Sequence, residues 1–65
     1  MTAEAERYLR LLAEAELRRN EPGDRLRAAA DVLSWVGAID DEVAGAIVDG
    51  YVAARGLRGL SLIHI

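Results

Sequence analysis

Apolar residues recur at helical spacing in three blocks of this chain, separated by two short breaks rich in glycine or polar residues. The first block predicts a helix from about residue 3 to 19, with Thr2 as its N-cap and many strong helix formers in its body. Ala5, Tyr8, Leu9, Leu12 and Ala15 share one face, with Leu11 beside it and Leu17 off it. On the outside, Glu6 and Glu14 precede Arg10 and Arg18 by one turn, the favourable order for ion pairs along a solvated helix.

Asn20-Glu21-Pro22-Gly23 ends that pattern, because proline lacks a backbone donor and restricts the residue before it, while glycine tolerates the reversal. Asp24 is the expected N-cap of a second helix over about 25–36. Leu26, Ala29, Ala30, Leu33 and Val36 form its inward face, and Gly37 suits the left-handed residue that closes a helix. Ala28, Val32 and Trp35 make a second apolar stripe on roughly the opposite side.

A third helix is predicted over about 41–55, with Asp40 as N-cap and Asp41 and Glu42 against the positive end of the dipole. Val43, Ile47, Tyr51 and Ala54 would face inward. Ala46, Gly50 and Ala54, four apart, would let another helix backbone approach closely. Gly56, with Leu57 folding back onto Val52, fits a terminating Schellman motif, and Arg55 and Arg58 complement the negative end. The expected fold is an all-α, small three-helix bundle with an irregular C-terminal tail, an antiparallel first pair and then a sharper corner into the third helix.

Composition narrows this picture. At 65 residues a single core is marginal, and twelve alanines with no phenylalanine leave few large side chains to fill it. The absence of cysteine removes disulfides and thiolate metal sites. The net charge of −3 is unevenly spread: through Arg27 six acids balance six arginines, whereas from Ala28 to Gly59 five acids face only Arg55 and Arg58. An acidic second half disfavours nucleic acid as a partner. The uncharged run from Val32 to Ile39 is far short of the ~20 residues needed to cross a bilayer, so no membrane partner and a cytoplasmic location are expected.

The last six residues stand apart. All eight basic residues are arginine, as in proteins from GC-rich genomes, yet Leu60-Ser61-Leu62-Ile63-His64-Ile65 holds two of the four isoleucines and the only histidine. This hexapeptide is also the translation of CTGTCTCTTATACACATC, and so resembles the end of a transposase library adapter. The expectation is a three-helix N-terminal segment over 1–59 of a longer protein, followed by a non-native tail over 60–65. A short apolar strand is the other reading of these six residues.

Few residues offer chemistry. The stretch from Ala28 to Val48 has the hydrophobic outline of a helix-turn-helix, with Val32 and Val36 before the turn, Gly37 in it, and Val43 and Ala46 after it. Leu33 stands where such motifs place a small residue. The second helix of the motif opens with Asp40-Asp41-Glu42 and offers Ala44, Gly45, Val48 and Asp49, none able to donate to a base edge or a phosphate. That acidic triplet could be read as a magnesium or calcium site, but neighbouring residues at a helix start point in different directions, and capping accounts for all three. No metal or other cofactor is expected.

Catalysis has little to build on: the only histidine is His64, in the suspect tail, and neither Ser34 nor Thr2 has a base beside it. The glycines fit no phosphate-cradling loop. Trp35 carries two readings. It is either a core residue covered by the first helix or Tyr51, or part of an exposed Ala28-Val32-Trp35 stripe that something else covers.

The segment Ala5-Glu6-Arg7-Tyr8-Leu9-Arg10-Leu11-Leu12-Ala13-Glu14-Ala15-Glu16-Leu17-Arg18-Arg19, with Leu26 through Gly37-Ala38 and the ending Ala53-Ala54-Arg55-Gly56, resembles the N-terminal helical region of uncharacterised actinobacterial proteins. The resemblance implies further chain after Gly59 and transfers no activity and no catalytic residue. The functional expectation is a non-enzymatic helical interaction or scaffolding module, with Ala28, Val32, Trp35 and Leu17 as its candidate interaction face. Its expected partner is the remainder of its own chain, a partner helix or a second copy. The alternative is a helix-turn-helix DNA-binding transcriptional regulator.

Overall fold

The computed structural model describes residues 2–63, with side-chain surroundings for 2–57, and shows three α-helices packed pairwise into one bundle. Helix α1 spans Ala3–Arg18, α2 Asp24–Trp35 and α3 Asp41–Ile63. Their relative directions follow from two ties. The backbone N–H of Thr2 donates to the Ala38 carbonyl at 2.8 Å, so the start of α1 lies beside the end of α2. The Tyr51 hydroxyl donates to the Glu21 carbonyl and Arg55 Nη2 donates to the Asn20 carbonyl at 3.4 Å, so α3 runs back toward the α1–α2 connection. Helix α2 therefore runs in the opposite sense to both of its neighbours.

The helix ends obey local rules. Thr2 Oγ1 accepts from the Ala5 N–H at 3.1 Å, the N-cap read from the sequence. Both α1 and α2 close with Schellman motifs. In α1 the left-handed residue is Asn20 (φ 56°), with Asn20 N–H donating to Leu17 and Glu21 N–H to Glu16; in α2 it is Gly37 (φ 77°), with Gly37 N–H donating to Ser34 and Ala38 N–H to Leu33.

Asp24 is not an N-cap: that position belongs to Gly23, at φ 92° and with no side-chain cap. The reason is tertiary. A Cβ on Gly23 would lie 2.7 Å from Cε2 of Tyr51, so the α1–α2 connection is pressed against the Tyr51 ring where only glycine fits. Asp24 instead begins the helix, near the positive end of its dipole. Asp40 does directly precede α3, its carbonyl accepting from the Ala44 N–H at 2.9 Å.

The third helix corrects two expectations. It passes through Gly56 without a left-handed residue and continues to Ile63, so neither the Schellman ending nor an irregular tail over 60–63 forms; His64 and Ile65 lie outside the described residues. A glycine costs a helix only ~1 kcal/mol relative to alanine, and Leu57 and Val52 are both exposed, so a reversal at Gly56 would gain no burial. Gly50 also lacks its expected role, because nothing lies within 4 Å of a Cβ added there.

The core is built from Leu9 of α1, Leu26 and Ala30 of α2, Ile39 of the α2–α3 turn, and Ala44, Ile47 and Tyr51 of α3. The inward faces predicted for α2 and α3 hold in outline, except that Val36 is exposed. The face of α1 is turned by about 60° from the predicted one, at roughly 100° per residue. Tyr8 is exposed, whereas Glu16 is buried and Ala13 and Leu17 pack against the core. Glu16 comes inward because it stands one turn beyond Leu12 and Ala13 and two turns beyond Leu9, near the middle of the packed stripe. Of the two predicted ion pairs, Arg10 Nε reaches Glu6 Oε2 at 3.3 Å, while Glu14 and Arg18 stay apart.

Candidate functional site

The outward side of α2 carries an unpartnered apolar surface. Trp35 stands nine positions after Leu26, and nine steps of about 100° place the two on opposite sides of the helix. Leu26 is fully buried, and Trp35 is 88% exposed. The core reading of Trp35 is thereby overturned: its ring is covered neither by α1 nor by Tyr51. Val32, one turn earlier on the same side, is 59% exposed, and Ala28 continues the stripe in the open.

Leu17 does not belong with them. It packs against the core from α1 and lines a groove between α1 and α3 with Arg10, Ala13, Glu14, Gly50 and Ala54. The sequence expectation grouped Leu17 with α2 because it fell off the predicted inward face of α1, and the turning of that face returns it to the bundle. Three of the four candidate residues thus share one surface.

Val36 was missed as a member of that surface. It is 60% exposed because the helix ends at Trp35 and Val36 is already the C-cap of the Schellman turn. Gly37 carried the signal, since a left-handed glycine fixes the cap one residue before it. The apolar ridge therefore reads Ala28, Val32, Trp35, Val36.

Polar residues border the ridge. Asp31, Val32, Ser34 and Trp35 of α2 and Asp41 of α3 line a shallow, open depression at the helix corner. Asp31, Ser34 and Asp41 also line a second depression, which continues between α2 and α3 past Ala44, Gly45, Val48 and Asp49. Asp31 stands four residues before Trp35, on the same side of α2. The three aspartates are exposed, and none is in an ion pair. Arg27 also borders the second depression, and its Nη1 donates to the Pro22 carbonyl at 3.4 Å.

Chemistry beyond contact is sparse. Among the described residues no three or more His, Cys, Asp or Glu side chains gather to hold a metal ion, and Asp40-Asp41-Glu42 spread around the start of α3. Thr2 is engaged as a helix cap. Ser34 lies at the α2–α3 corner among carboxylates and apolar groups, and His64 is outside the described residues. No helix among the described residues is long and apolar enough to cross a membrane.

Fold and surface together define a small three-helix bundle with an acid-bordered apolar ridge on its middle helix. Comparison with protein-family models, with curated proteins and with solved structures finds no match to this chain.

Proposed function

We propose that this chain is a non-enzymatic helical interaction or scaffolding module that acts by burying the outward ridge of α2 against a partner. The exposure of Trp35 carries this reading. A tryptophan buries ~150–250 Å², about 4–6 kcal/mol at ~25 cal/mol per Å² before the losses of association, so leaving its face open on a domain this small forgoes a large stabilisation. Val32 and Val36 extend that face into a contiguous apolar surface, the kind that marks interaction sites. A rigid helix offering side chains at i, i+3 and i+4 is also a common means of packing against another helix.

The experiment uses Trp35 as the single tryptophan of the chain. In a dilute monomer its emission should lie at the long wavelength of a hydrated indole and be freely quenched by acrylamide, and amphipathic helical peptides should shift it blue and protect it. A monomer whose tryptophan is already blue-shifted and protected would refute the reading.

A helix-turn-helix DNA-binding regulator is the alternative. The α2–turn–α3 corner favours its outline, but Asp41, Glu42 and Asp49 would face a polyanion. Binding of duplex DNA that weakens steeply with salt would overturn the preference.

A further inference from the structure

We infer that the occupant of this ridge is a cationic amphipathic helix, one whose apolar stripe covers Val32, Trp35 and Val36 while its arginine or lysine side chains reach Asp31 and Asp41. The inference rests on the interaction reading above and adds the chemistry of the partner.

Charge selects the partner. Asp31 and Asp41 border the depression beside Trp35, and Asp49 extends the acidic strip along the α2–α3 groove. With no ion pair to any of the three, their charge is neutralised only by solvent and counterions. The nearest cation lining the strip, Arg27, borders only the second depression, while the depression that holds Trp35 is lined by two carboxylates and no base. A cation placed there gains from both acids, and one resting on the Trp35 face gains from the ring quadrupole as well.

The same charges argue against other occupants. A symmetric pairing of two copies through this ridge would bring Asp31 and Asp41 of one copy against a like-charged border on the other. An anionic membrane surface or a nucleic acid would meet the acids directly. A head-to-tail contact with a second copy offering α1 is a self-pairing that charge permits, since Arg7 and Arg10 there stand beside the exposed Tyr8 and Leu11. That geometry either closes into a ring or grows without limit, and it is distinguishable by its dependence on concentration.

The test titrates the full chain, at a concentration where it is monomeric, with three synthetic helical peptides. They share one leucine stripe and differ only in carrying arginine, glutamine or glutamate beside it, and Trp35 emission and acrylamide protection are the readout. The arginine peptide should bind about tenfold tighter than the glutamine peptide, and the glutamate peptide weakest. That preference should fall as salt is raised, because exposed charges are screened. In Asp31→Asn/Asp41→Asn the arginine and glutamine peptides should bind alike. The salt series on the unaltered chain keeps the test independent of how that variant folds.

Equal binding of the arginine and glutamine peptides by the unaltered chain would overturn the cationic partner and leave the interaction face standing. A blue shift that grows with protein concentration and needs no peptide would do the same, identifying a second copy as the occupant. If no peptide protects Trp35 and the chain alone stays monomeric, the interaction reading fails as well.

Discussion

The two largest side chains placed by α2 and α3 meet opposite fates. Tyr51 is buried: its ring lies against Gly23, its hydroxyl donates to the Glu21 carbonyl, and it joins α3 to the α1–α2 connection. Trp35 is larger and more apolar, yet stands in the open at the far end of α2. Burial here follows helical register and not side-chain size. Tyr51 comes one turn after Ile47 on the packed face of α3, whereas Trp35 falls half a revolution from Leu26. An aromatic residue opposite the core stripe does not make α2 roll, because exposing Leu26 and Ala30 would forfeit contacts with two helices at once.

Substitutions that should separate these two regions begin with Tyr51→Ala. It removes the ring that seats Gly23 and should cost about 3–5 kcal/mol, enough to unfold much of a marginal domain. Loss of helical circular dichroism and of a cooperative urea transition would report it, and a fully folded variant would show that the ring is not central to the core.

Gly23→Ala attacks the same contact from the other side. The added Cβ meets Tyr51 while the backbone holds a positive φ, for a loss of about 2 kcal/mol. A midpoint in urea unchanged from that of the parent would contradict the close approach.

Glu16→Met should work in the opposite direction. Glu16 is 4% exposed and its Oε2 has no hydrogen-bond partner, so replacing the carboxylate by an apolar side chain of similar length should stabilise the bundle. About 1 kcal/mol is expected, read as a rise of about 4–8 °C in Tm. A lower Tm would mean that the carboxylate is satisfied in solution.

Trp35→Ala should have the smallest effect on folding, within about 0.5 kcal/mol of the parent. The same substitution removes the fluorescent reporter, so binding of the helical peptides is read by titration calorimetry and should be abolished, and that pairing of neutral stability with lost association is the strongest expected contrast with Tyr51. A destabilisation approaching that of Tyr51→Ala would erase the distinction between the two regions.

Much of this arrangement is legible along the chain, and the parts that are not share a physical origin. Thr2 as a cap and Gly37 as a left-handed terminator depend on backbone groups within a few residues, and both appear where the sequence places them. Gly56 looks like the same signal and is not used. After Gly37 the chain reverses and buries Ile39, whereas after Gly56 the next large side chain, Leu57, has no core to enter. A terminating glycine permits a turn, and the burial beyond it decides whether the turn is taken.

The candidate site was partly legible for a similar reason. Ala28, Val32 and Trp35 lie on one side of α2 by periodicity alone. Val36 joined them only once the cap position was known, and Leu17 left them once α1 had turned on the core. The acidic border is long-range: Asp31 and Asp41 are ten residues apart and belong to different helices, and the corner between α2 and α3 brings them to the same depression.

Helix number, the starts of all three helices to within a residue, the ends of α1 and α2 and the two-faced character of α2 are set by the sequence, because they depend on spacing and capping within a turn or two of each residue. The tertiary structure alone decided the rotation of α1 that buries Glu16, the choice of Gly23 over Asp24 as a cap, and the exposure of Trp35. Each of these follows from three helices competing for one small core, where contacts between distant residues outweigh the local preference of any one of them.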